Sequence, residues 1–206
     1  MNIPAFVLAT SLLAIVPGQG MAMVLRQSLV GGSRTAFLSV LGNSTGLVTW
    51  GALSAVGLST VFAANPTAYA VLKWAGVAFL FFLAGQTAWQ VRKAAGKFDL
   101  SLTGETDQPR AGAAFRTGLF TNLTNVKAAV FAVAFIPVYV PSGFSLGLGI
   151  MAFGLVWAGV SAFWYSVIIL GVNRASALLE LPAVRRGLTA ASAIGLAVLA
   201  VGLAVS

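Results

Sequence analysis

Long apolar runs alternate with short polar breaks along this chain, and the runs have membrane length. Six of them lie between charges and turn residues: Ile3 to Leu25, about Ala36 to Ala63, about Tyr69 to Val91, about Phe115 to Val140, about Ser145 to Val172, and a last one ending at Ser206. A helix needs roughly 20 apolar residues to cross the hydrocarbon core of a bilayer. Gly31-Gly32-Ser33-Arg34, Ala64-Asn65-Pro66-Thr67 and Pro141-Ser142-Gly143 read as turns. The one long polar stretch holds Arg92, Lys93, Lys97, Asp99, Glu105, Asp107 and Arg110. The pattern predicts an all-α integral membrane protein with six transmembrane helices: a first three-helix repeat over 1–91, a cytoplasmic polar loop over 92–114 and a second three-helix repeat over 115–206.

Composition strengthens that reading. Apolar residues make up 59% of the chain and charged residues 8%, against about 25% charged in an ordinary globular protein. Four acidic side chains cannot solubilise a folded surface of this size, so the surface faces lipid. The net charge of +8 then reports topology and contact with anionic lipid, and not nucleic-acid binding. Without cysteine or histidine the chain lacks disulfides, thiol chemistry and the commonest zinc and haem ligands, so no cofactor is expected. Met1-Asn2-Ile3-Pro4 offers no basic start for a cleaved signal peptide.

Basic residues set the orientation. Arg26 and Arg34 flank the first loop; Arg92, Lys93, Lys97, Arg110 and Arg116 lie in or beside the third; Arg174, Arg185 and Arg186 lie in the fifth. By the positive-inside rule these loops are cytoplasmic and both termini lie outside. Three spans per half make the second half enter from the opposite side, the plan of an inverted repeat.

The irregular residues fall at matching depth. Val16-Pro17-Gly18-Gln19-Gly20 interrupts the first run, with Pro17 nine residues before Arg26, and Asn125 follows Arg116 by nine. At 1.5 Å per residue both lie near the middle of a core about 30 Å thick. Freed backbone groups at that depth must be buried in protein or line a cavity. Each break is therefore a packing kink or part of a transport site.

Lys127, in Asn122-Leu123-Thr124-Asn125-Val126-Lys127, is the one charge deep in any span, with no acidic partner in the membrane. It is either a structural lysine held by asparagines and loose carbonyls, or one that snorkels, or the counter-charge for a substrate carboxylate. Gln19, Asn43, Asn122 and Asn125 can donate and accept beside it. Gly42 and Gly46 around Asn43 have the spacing of close helix packing.

Two stretches resemble the LysE/RhtB family of bacterial amino-acid exporters. Pro17-Gly18 with Arg26 and Gly31-x-x-Arg34 resembles the family's N-terminal signature. The more specific Phe115-x-x-Gly118-x-x-x-Asn122-Leu123-x-Asn125-x-Lys127-Ala128, with Phe131 and Pro137, resembles its fourth-span motif. Length, spans and polar central loop agree over the whole chain. The resemblance implies efflux of amino acids or relatives from the cytoplasm, driven by the proton gradient. Gln19 and Val126 stand where the family has the second proline of each break, so the fourth-span break should be milder. The second span also lacks the acidic residue associated with export of lysine and arginine.

The expectation is a secondary exporter of neutral amino acids or related small zwitterions, of the threonine, homoserine or leucine kind, in the bacterial inner membrane. Its site is Pro17, Gly18, Gln19, Gly20, Asn43, Asn122, Asn125 and Lys127. Its partners are a small-molecule amino acid and membrane lipid; small-residue faces leave a homo-oligomer open. An intramembrane hydrolase pairing serine with Lys127 is the competing class, with no ordered motif behind it. Export of another metabolite or a cation is the third, but the spans hold no carboxylate, imidazole or thiolate ligands. Only Lys127 and tyrosines can titrate inside the spans, which leaves proton antiport and facilitated efflux both open.

Overall fold

A computed structural model describes residues 3–15, 18–92, 111–172 and 181–205, and these are helical with no strand among them. Seven α-helices are described: α1 Ile3–Ile15, α2 Gln19–Ala64, α3 Pro66–Arg92, α4 Ala111–Leu123, α5 Val126–Val130, α6 Leu146–Leu170 and α7 Pro182–Val205. A π-helical turn, Phe131–Phe135, and a 3-10 turn, Ile136–Tyr139, prolong α5. Pro17, most of the polar loop and Arg174 lie outside the described residues. Among those described, α6 is long and apolar enough to cross a membrane unbroken. Two bent pairs reach that length and apolarity when each is taken as one span. The all-helical, lipid-compatible chain is that of a helical membrane protein.

Both predicted breaks are present and nearly equal. The helix axis turns by 57° between α1 and α2, and by 58° between α4 and the helical stretch Val126–Tyr139. The expected milder fourth-span break is therefore corrected, and the reason is Asn125. It adopts an extended backbone (φ −82°, ψ 99°), and its side chain accepts from the Lys127 N–H at 3.1 Å, capping α5. An asparagine N-cap starts a new helix without help from proline.

Gly31-Gly32-Ser33-Arg34 is another correction. No loop separates the first two runs; the helix resumes across a single residue, Gly32, at φ 73° and ψ 176°. Only glycine takes up that backbone freely, so one residue does the work of a turn. The Asn65 turn is as predicted: its side chain accepts from the Thr67 N–H at 2.9 Å, with Pro66 opening α3.

α2 lies at the centre, packed between α4 and α6, while α3 packs on α7. Small residues permit the α2–α4 approach. A Cβ on Gly42 would strike the Phe115 carbonyl, and one on Gly118 the Ser39 carbonyl. Gly51 of α2 and Gly154 of α6 meet backbone to backbone, each other's added Cβ lying 3.4 and 3.3 Å from the partner's Cα. Hydrogen bonds lock the contacts: Ser39 Oγ donates to the Ala114 carbonyl at 3.0 Å, and Ser54 Oγ to the Ala132 carbonyl at 2.8 Å. The second of these satisfies a carbonyl of the π-turn.

Candidate functional site

The two breaks face each other across one buried cavity. Gly18, Gly20, Asn43, Asn122, Asn125 and Lys127 line it, with Trp157, Ser161 and Tyr165 of α6 opposite. Six of the eight residues singled out in the sequence thus meet at one place. Gln19 is exposed and takes no part in the lining, and Pro17 lies outside the described residues.

Each break positions what lies beside it. Ending α4 at Leu123 frees the Asn122 carbonyl, which accepts from the Asn125 N–H at 2.9 Å and from the Trp50 indole N–H at 3.3 Å. The Asn122 side chain then reaches α2, donating to Asn43 Oδ1 at 3.2 Å, with both residues 2% exposed. Gly46 makes room, since an added Cβ there would sit 2.7 Å from the Asn122 Cβ. The Asn122 Oδ1 is left buried without a hydrogen-bond partner among the described residues. Unpaired buried acceptors are rare and call for a reason.

Lys127 follows directly from the Asn125 cap, on the cavity wall. All four acidic residues, Asp99, Glu105, Asp107 and Glu180, lie outside the described residues, so Lys127 has no carboxylate partner among those described. Its ammonium makes no hydrogen bond to them either; its backbone N–H donates to Asn125 Oδ1 and its carbonyl accepts from the Phe131 N–H. A cation so placed, beside the N-terminal turn of α2 with its free N–H groups, forms an anion-seeking corner.

The two ends of the cavity are sealed differently. Toward Tyr139 stands an interlocked aromatic cluster: Phe6 lies 4.7 Å from Phe153 and 5.1 Å from Tyr139 between ring centres, and Phe131 lies 4.8 Å from both Phe135 and Trp157. Toward the Gly32 end, the Tyr165 hydroxyl rests directly on Gly20. The free volume at the site, about 30 Å³, holds one or two waters and is far too small for an amino acid.

The α6 residues escaped the sequence reading. Trp157, Ser161 and Tyr165 recur every fourth position, one face of a helix. In an apolar span that spacing was the available signal. Among the described residues no cluster of His, Cys, Asp or Glu is able to hold a metal ion.

Comparison with known proteins identifies the family. The LysE type translocator family matches over residues 11–206. The chain is 38% identical to the homoserine/homoserine lactone efflux proteins of Salmonella typhimurium and Salmonella typhi over 136 residues, 66% of this chain and 63% of each relative. The alignment thus spans less than two thirds of their length. It is 28% identical over 202 residues to an uncharacterized membrane protein of Pseudomonas aeruginosa, covering 97% of this chain and 91% of that one. No solved structure matches. With nearly its whole length matched, the chain belongs to the LysE type translocator family, a family of transporters and not of enzymes.

Proposed function

We propose that this translocator exports neutral amino acids or related small zwitterions of the threonine, homoserine or leucine kind across the bacterial inner membrane. The observation that carries the reading is the Lys127 ammonium, without a partner among the described residues, on the wall of a cavity built at two helix breaks. Lys127 takes the substrate carboxylate, aided by the N–H groups of Gly18, Gln19 and Gly20 at the start of α2. Asn43, Asn122 and Asn125 take the ammonium group, for which the orphaned Asn122 Oδ1 is a ready acceptor. The homoserine/homoserine lactone efflux relatives support a substrate of this size and polarity.

In this reading the chain spans the membrane six times, as repeats 1–91 and 115–206 inverted about the cytoplasmic loop 92–114, with both termini outside. Three observations support it. The two bends differ by a single degree, 57° and 58°. Gly51 and Gly154 make reciprocal contacts, and α3 packs on its counterpart α7. The narrow cavity is then a contracted state of the site, with Tyr165 against Gly20, backed by Met23, Val24 and Ile169, on the cytoplasmic side and the aromatic cluster outside. Opening at the cytoplasmic side loads substrate, and rocking of one repeat against the other releases it.

The test is uptake into proteoliposomes across a panel of amino acids, with and without a pH gradient. The reading expects flux of small neutral amino acids and exclusion of lysine, arginine and aspartate. Flux of cationic amino acids above neutral ones overturns it.

A further inference from the structure

We propose that Ser161 and Tyr165 read the end of the substrate side chain, selecting short amino acids with a hydrogen-bonding oxygen there over apolar molecules of the same shape. The inference rests on Lys127 as the carboxylate partner, and it assigns the opposite wall of the same cavity.

Many helical hydroxyls of the fold are satisfied by backbone carbonyls, whereas Ser161, like the buried Ser44 Oγ, has no partner among the described residues. Helical hydroxyls here return their O–H to a carbonyl one turn back: Thr10 to Phe6, Ser28 to Val24, Thr87 to Leu83 and Ser166 to Ala162. Ser39 bonds both the Thr35 carbonyl one turn back and the Ala114 carbonyl of α4, and Ser54 reaches the Ala132 carbonyl of the π-turn. Ser161 does neither, although it is 4% exposed, and the Tyr165 hydroxyl, on a residue 9% exposed, likewise has no hydrogen bond among the described residues. Both side chains line the cavity, one turn apart on the same face of α6. The contact of the Tyr165 hydroxyl with Gly20 holds it at the wall, because any side chain at that position would displace it.

Two hydroxyls on the cavity wall that donate and accept, without a partner among the described residues, complement a ligand oxygen. A substrate held by its carboxylate at Lys127 and its ammonium at Asn122 turns its side chain toward α6. There a hydroxyl or a carbonyl oxygen completes the hydrogen bonds, whereas a methyl group strands them both. Sites built to bond a hydroxyl reject the analogue that lacks it far more strongly than apolar pockets tell methylene groups apart. Trp157, 2% exposed and packed on Phe131, closes the far end of this wall and limits side-chain length.

The experiment compares homoserine with norvaline, which carries a methyl in place of the hydroxyl, as exchange substrates in proteoliposomes of the wild type, Ser161→Ala and Tyr165→Phe. The wild type should favour homoserine by about tenfold or more. Each variant should lower that ratio severalfold while norvaline flux is kept or raised. A wild-type ratio near one overturns the inference and leaves the exporter reading intact, as does a ratio unchanged in both variants. Equal loss of both substrates in correctly inserted Ser161→Ala, the smaller change, also overturns it. A wild type that moves neither amino acid defeats the exporter reading itself.

Discussion

Asn122 of α4 donates to Asn43 of α2 at 3.2 Å, joining the two halves of the chain through one buried bond at the edge of the cavity. Both side chains are 2% exposed, so neither can turn to water if the other is lost. In lipid, bonds of this kind couple helices by about 0.6 kcal/mol on average and up to about 1.7. A double-mutant cycle over Asn43→Ala and Asn122→Ala, followed by thermal unfolding in detergent, should give a coupling in that range. Strictly additive effects would mean that the bond contributes nothing to the α2–α4 contact.

The glycines of the same crossing predict a sharp contrast. Gly42 and Gly118 lie against backbone carbonyls of Phe115 and Ser39, which cannot swing aside as a side chain can. Gly187 and Gly202 have nothing near the position of an added Cβ. Gly42→Ala and Gly118→Ala should each cost about 1–3 kcal/mol, as overpacking does, and reduce the yield of monodisperse protein. Gly187→Ala and Gly202→Ala should be silent. Similar yields from all four would contradict the close approach.

Asn125 and Val126 separate what caps the break from what merely sits in it. Asn125→Ala removes the acceptor for the Lys127 N–H and should cost about 1 kcal/mol. Val126→Pro should be tolerated, or stabilise by up to about 1 kcal/mol, because the first position of a helix accepts proline and the extended Asn125 suits a following proline. Thermal stability and homoserine flux of the two variants check this. A flux loss in Val126→Pro larger than in Asn125→Ala would reverse the assignment.

Much of this was legible in the sequence because the bilayer is an unforgiving solvent. Uncharged runs of fixed length announce helices, and Pro17-Gly18 and Asn125 stood out as interruptions. A lone Lys127 at that depth stood out as a charge requiring a purpose. What escaped was decided by packing. Nothing local distinguishes the Ser161 hydroxyl, which bonds to no carbonyl among the described residues, from that of Ser166, which bonds to Ala162 one turn back. Whether Gly31 to Arg34 forms a loop or a one-residue kink depends on how closely α2 follows its neighbours, which is a tertiary matter. Val126 misled because a missing proline was read as a milder break, when a side-chain cap serves equally well.

The central claim is that the Lys127 ammonium holds the carboxylate of a small zwitterion between the two breaks. Efflux of labelled homoserine from cells carrying Lys127→Met, with insertion of the variant verified, tests it most directly. Losing a charge-assisted hydrogen bond should cut efflux by about tenfold or more. Wild-type efflux from the methionine variant would contradict it.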